Sequence, residues 1–133
     1  MTVEPVTVAV VNYQGATHLP AVLPAVRALE GPVAERLLVD SGSSDGSVDL
    51  VRRAFPEFRV IELGSNLGPA AARNRALREA RTRLVLLLDN DVVPEPDCLR
   101  RLLAAFVPGV AAVCPRALLE ADPARIHYDG AHF

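Results

Sequence analysis

The chain has 133 residues, half of them hydrophobic, and a formal net charge of -2. That is the usual size of one compact domain, and a chain this long buries roughly two thirds of its unfolded surface, so it needs no disulfides to fold. All 14 basic residues are arginines, interspersed with 16 acidic residues, which excludes the basic stripe that tracks a nucleic-acid backbone.

The start, Met1-Thr2-Val3-Glu4-Pro5, lacks the basic region of a signal peptide, and no apolar run approaches the ~18 residues of a membrane span. Val6 to Val11 is short, β-branched and nearly all apolar, as suits a central strand buried on both faces. Thr17 can cap a helix with Leu19, Val22, Leu23, Val26 and Leu29 on one side, stopping at Gly31-Pro32. Pro24 conflicts with that helix and is expected to delay its start or kink it. Arg36 to Val39 reads as the second strand, ending on Asp40, and a loop of Ser and Gly leads into a short helix from about Asp45 to Ala54. Arg59 to Leu63 is the third strand, and Pro69 opens a helix reaching Arg83. Leu84 to Leu88 is the most hydrophobic strand and stops at Asp89. Asp97 can cap a last helix ending near Phe106, and Val110 to Val113 reads as a closing strand. Cys98 reads as a residue of that helix and Cys114 as a strand residue, too far apart for a CxxC pair and without His at ligand spacing. They read as buried, reduced thiols of a cytoplasmic protein. His18, His127 and His132 are scattered and read as surface or packing residues.

Strand and helix alternating this regularly imply an α/β fold, a mostly parallel sheet with helices on both faces. Ligands in such folds bind beyond the carboxyl ends of the strands. Four polar segments fall there: Asn12-Tyr13, Asp40 to Ser44, Asn66 to Gly68, and Asp89-Asn90-Asp91. They are expected to converge on one edge.

Asp89-Asn90-Asp91 places two carboxylates directly after a buried strand. Hard cations such as Mg²⁺ and Mn²⁺ favour carboxylate oxygen and complete their shell with water and substrate phosphate. The competing account has Asp89 capping a turn and Asp91 solvated. Asp40 ends a strand, where its carboxylate can accept from a base edge or a ribose hydroxyl. Ser44 or Asp45 serves equally as a helix cap, which leaves Asp40 without a structural reason. Gly68 and Pro69 open a helix whose first amides favour an anion, and Arg73 and Asn74 lie about one turn in. Arg73 can meet a phosphate bidentately, or belong to a solvated face with Arg75, Arg78, Arg81 and Arg83. Tyr13 can stack on a base or pack on the sheet edge.

In order and spacing, four segments resemble the family 2 glycosyltransferases of GT-A (Rossmann-like) fold: Val10-Val11-Asn12-Tyr13; Val39-Asp40-Ser41-Gly42-Ser43-Ser44-Asp45-Gly46-Ser47; Asn66-Leu67-Gly68 with Ala72-Arg73-Asn74; and Leu88-Asp89-Asn90-Asp91. The resemblance extends to about Pro115, and within the family it is nearest the bacterial rhamnosyltransferase-like group. It implies a base site at Asp40 with Tyr13 near the base and Asn12 lining the pocket. It places a Mn²⁺ or Mg²⁺ ion on Asp91, with Asp89 on ribose or the metal shell and Asn90 among the nucleotide-sugar-binding residues. Asn66, Gly68, Arg73 and Asn74 then lie near the diphosphate or donor sugar. The implied reaction carries a sugar from a UDP- or dTDP-linked donor to a glycan or lipid-linked acceptor hydroxyl, usually with inversion. The family's catalytic base and most of its acceptor site lie beyond the DxD region, and this chain ends at Phe133. The expectation is therefore one domain, residues 1–133, forming the donor-binding portion, with no catalytic base assigned. A non-catalytic nucleotide-sugar-binding module is the alternative. Self-association through exposed apolar surface and a membrane-peripheral full-length enzyme complete the expectations. A sugar nucleotidyltransferase needs a basic Gly-rich loop after the first strand, where this chain reads Asn12-Tyr13-Gln14-Gly15. A haloacid-dehalogenase-type phosphatase or a response-regulator receiver needs acidic residues there.

Overall fold

The computed structural model describes residues 4–129; Met1 to Val3 and His132 lie outside that range. Seven consecutive buried residues, Val6–Asn12, form β1, whose unbroken apolar run is possible because both faces are covered. β2 (Val33–Asp40) and β4 (Leu84–Asp89) flank it, and β3 (Phe58–Glu62) lies outside β2. The order is β3-β2-β1-β4, and every pairing is parallel.

Alternation along the strands sorts the core into two layers. Val6, Val8 and Val10 of β1, with Leu38 and Leu88, meet one set of helices. These are α1 (Leu19–Arg27), α2 (Ser47–Ala54) and α4 (Cys98–Ala105), which contribute Leu19, Leu23, Val26, Val51 and Leu99. Ala9, Val11, Leu37 and Val39 face the other way, onto Ala72 and Ala76 of α3 (Pro69–Glu79). The alanines let α3 lie close against the sheet. The architecture is the α/β sheet with helices on both faces expected from the sequence.

Several boundaries differ. α1 begins at Leu19 with His18, not Thr17, in the cap position, and neither Pro20 nor Pro24 stops it. Pro20 sits in the first turn, where no amide bond is lost, and Pro24 is exposed inside the helix, which continues past it to the Ala28 N–H bonding the Pro24 carbonyl at 3.0 Å. The helix ends at Arg27, before Gly31. α3 stops at Glu79 rather than Arg83 because the following residues serve the sheet instead. The Arg81 N–H donates to Glu35, and the Thr82 hydroxyl accepts the Thr7 N–H while bonding the Leu84 carbonyl. Asp97 occupies the cap position of α4 without capping it, since its carboxylate accepts from Arg101 at 2.6 Å.

The C-terminal region departs most. Val110 to Val113 is no strand, and the chain instead forms an antiparallel hairpin of β5 (Ala117–Leu119) and β6 (Asp122–Tyr128). Without the strand Cys114 is exposed, correcting its reading as buried, whereas Cys98 is half-buried and burial pushes its thiol pKa up. Among the described residues β4 pairs only with β1, leaving an apolar groove of about 510 Å³ along its outer edge. Leu77, Leu87, Leu103, Phe106 and Val113 contribute to its walls. No helix of the described residues is long and apolar enough to cross a membrane.

Candidate functional site

Because β1, β2 and β4 run parallel, their carboxyl ends bring Asn12, Asp40 and Asp89 to one edge. The chain leaves β1 toward β2 on one side, while β4 lies on the other, so a crevice opens at the change of direction. A cleft of about 390 Å³ lies there. Its wall includes Asn12 and Tyr13 after β1, Asn66 and Gly68 before α3, Arg73 on α3, and Asp89, Asn90 and Asp91 after β4. Eight of the residues singled out from the sequence therefore share one cleft. Asn74 is exposed on α3 but does not line it.

Asp40 is also placed outside the lining, at 1 % exposure. One carboxylate oxygen accepts from Asn12 Nδ2 at 2.8 Å and the Ser43 hydroxyl at 2.6 Å, and the other accepts the Ser43 N–H at 2.8 Å. The residue that reaches the cleft from this loop is its neighbour, Ser41. Ser41 belongs to the Asp40 to Ser44 segment expected at this edge but carried no role of its own, Pro69 was expected only as the helix start beside it, and Val11 and Ala72 were not assigned to the site. The alternation of β2 was the available signal, since adjacent residues at a strand end face opposite sides.

Asn12, 2 % exposed, ties the floor together. Its amide nitrogen also bonds the Ser47 hydroxyl at 3.0 Å, and its oxygen accepts from Asn90 Nδ2 at 2.9 Å. Asn90 reaches the Tyr13 carbonyl as well, so the middle residue of Asp89-Asn90-Asp91 is a clasp between the β4 and β1 loops. Gly15 makes room for that clasp, because a Cβ there would overlap both Asn12 Oδ1 and Asn90 Nδ2. Gln14, at φ 50°, exchanges bonds with Ser43 and Ser44. Gly42, at φ 75°, lets the β2 loop press on the Ser65 backbone, 2.8 Å from where a Cβ would stand.

Asp45 joins the same scaffold, accepting the Ala16 N–H at 2.8 Å and the Ser47 N–H at 3.1 Å. Burial would raise its pKa, but the bonds from Ser47 and Ala16 outweigh it and hold the carboxyl below its ordinary value. The residue in the cap position of α2 is Gly46, so Asp45 acts one residue earlier than a cap, and Ser44 bonds Gln14 instead.

The charged side of the cleft is formed by Arg73, Asp89 and Asp91. Arg73 Nη2 donates to Asp89 Oδ1 at 2.6 Å, and both side chains are partly exposed, at 40 % and 47 %. Asp91 is exposed beside them. No side chain caps the first turn of α3, and Gly68 is held by a bond from its N–H to Asn66 Oδ1 at 3.0 Å. The helix therefore presents free amides and the positive end of its dipole to an anion. No group of three metal-ligating side chains occurs among the described residues. The donor set present, two carboxylates beside a wet cleft, matches a Mg²⁺- or Mn²⁺-type ion that completes its shell from substrate phosphate and water, and does not match an ion held by protein alone.

The profile of the family described as "Glycosyl transferase family 2" matches residues 7–124. The chain belongs to this family. Among its relatives, the succinoglycan biosynthesis protein ExoO of Rhizobium meliloti (strain 1021) is 36 % identical over 102 residues, covering 76 % of this chain and 29 % of the relative. The mannosyltransferase PcManGT from Pyrobaculum calidifontis, solved with GDP-Man and Mn²⁺, superposes with a TM-score of 0.65 at 33 % identity. That match covers 71 % of this chain and 30 % of the mannosyltransferase. S. aureus TarS 1-349, solved with UDP-GlcNAc, gives a TM-score of 0.67 at 26 % identity, over 74 % of this chain and 30 % of TarS 1-349. The chain thus spans about a third or less of each of these family relatives, and its fold is that of their nucleotide-sugar-binding glycosyltransferases.

Proposed function

We propose that this family 2 chain is the donor-binding domain of a glycosyltransferase that moves a sugar from a nucleotide-diphosphate donor to an acceptor hydroxyl with inversion. The observation that carries the reading is the cleft, where the α3 N-terminus, Arg73, Asp89 and Asp91 face one volume with Asn12 and Tyr13 at its other side. Asp91 and Asp89 would hold a divalent cation, which supplies neutralisation of diphosphate charge and of charge developing on the leaving nucleotide. Tyr13, 48 % exposed, offers a ring face to the base. Asp40 serves the base end by fixing Asn12 and the loop that brings Ser41 to the cleft. Asn66 and Gly68 shape the turn at the diphosphate, with Arg73 as its counter-charge and Asn74 at the rim. The catalytic base and the acceptor site are assigned to no residue of this chain.

The donor is UDP- or dTDP-linked in this reading, with a rhamnosyl donor as the finer choice and a glycan or lipid-linked hydroxyl as acceptor. Unpaired Cys98 and Cys114 support a cytoplasmic setting, peripheral to a membrane in a longer enzyme. The β4 groove, apolar and unpaired, supports self-association with a second copy of the chain. Thermal unfolding with Mn²⁺ and a panel of UDP-, dTDP- and GDP-sugars tests the donor assignment. A raised midpoint with UDP- or dTDP-sugars, absent with the nucleosides alone, is expected; equal midpoints throughout overturn it.

A further inference from the structure

Among the described residues the Arg73–Asp89 pair is the one ion pair in the cleft wall, and it joins the two groups the donor and its cation each need. At 2.6 Å the guanidinium lies against one Asp89 oxygen and partly offsets its charge. Among the described residues the Arg73 side chain bonds nothing else, and Asp89 has no other side-chain donor. Half-exposed, the pair is weak enough to be exchanged.

We propose that Arg73 is a positioning residue that works by partner exchange, occupying Asp89 until a donor diphosphate draws it away. This inference rests on the donor-site reading above. In the unliganded protein Arg73 keeps Asp89 aimed into the cleft and lowers its appeal to a cation, so the chain holds a divalent ion poorly by itself. Phosphate oxygens beside the α3 N-terminus offer Arg73 a bidentate anionic partner, and its departure frees Asp89 beside Asp91. Cation and diphosphate then bind with positive coupling, each strengthening the other by the same factor. The exchange keeps a free cation from closing the site ahead of the donor.

The test is Mn²⁺ binding without nucleotide, followed by electron paramagnetic resonance, to the wild-type chain, R73Q and R73K. A residue that merely holds Asp89 in place predicts weaker Mn²⁺ binding when it is removed. Exchange predicts the opposite: R73Q binds Mn²⁺ about two- to fivefold more tightly than wild type, as release from a surface ion pair allows, and R73K lies between. In parallel, with Mn²⁺ at saturation, R73Q binds UDP more weakly than wild type. Mn²⁺ affinity of R73Q that is unchanged, lower or undetectable overturns the exchange. If wild type binds UDP in that experiment, the donor-site reading survives that failure; if it binds no UDP, the donor-site reading fails as well. Thermal unfolding of each variant checks that it is folded, which a half-exposed position permits.

Discussion

Gly15→Ala is the sharpest probe of the clasp that joins the two loops at the cleft. The added methyl would overlap Asn12 Oδ1 and Asn90 Nδ2, which are themselves 2.9 Å apart in a hydrogen bond. Asn12 cannot swing away freely, because its amide is committed to Asp40 and Ser47. Asn90 must therefore leave, and Asn12 Oδ1, overlapped by the added methyl, must shift as well. Loss of the clasp leaves a buried acceptor unpaired, at a cost of about 1–3 kcal/mol, to which the displacement of Asn12 adds strain. In a domain of this size that lowers the unfolding midpoint by about 10 °C. Circular dichroism melting gives the midpoint, and UDP titration in the presence of Mn²⁺ should show weakened binding, since Asn90 separates Asp89 from Asp91. A Gly15→Ala protein with an unchanged midpoint would refute the geometry of the clasp.

Two further outcomes are expected. Glu35, with its side chain 11 % exposed, accepts from Thr7, Arg59 and the Arg81 N–H at the sheet end opposite the cleft. Burial raises its pKa, but those bonds prevail and hold it below its ordinary value, so its stabilising effect is full above the unfolded glutamate range and is lost as pH falls through the lowered value. Glu35→Gln should be about 1–3 kcal/mol less stable than wild type at neutral pH, with the gap closing below pH ~4; urea titrations showing a constant gap would contradict this. Light scattering should show wild-type self-association that Leu77→Arg, an exposed change on the wall of the β4 groove, disperses; a monodisperse monomer at high concentration would count against it.

The sheet was legible because parallel strands buried on both faces read as continuous apolar runs, each ending in a polar residue that marks its carboxyl end. Hence Asn12, Asp89, Asn90 and Asp91 could be assigned to one edge before any geometry was known. Two things were not legible. Which residue of Asp40-Ser41 faces the cleft depends on the half-turn at the strand end, and here Asp40 turns inward to Asn12 and Ser43. Val110 to Val113 has strand composition but no neighbour to pair with among the described residues, and pairing is a tertiary event that local pattern cannot supply. The hairpin of β5 and β6 was hidden because Glu120-Ala121 is no recognised turn dipeptide and Pro123 stands inside β6.

The central claim is a metal-assisted donor site, and calorimetric titration of UDP and dTDP, with and without Mn²⁺, into wild type and Asp91→Ala tests it most directly. The account predicts binding that requires Mn²⁺ in wild type and falls at least tenfold in Asp91→Ala. Failure of folded wild-type protein to bind either nucleotide, or equal binding by Asp91→Ala, would contradict it.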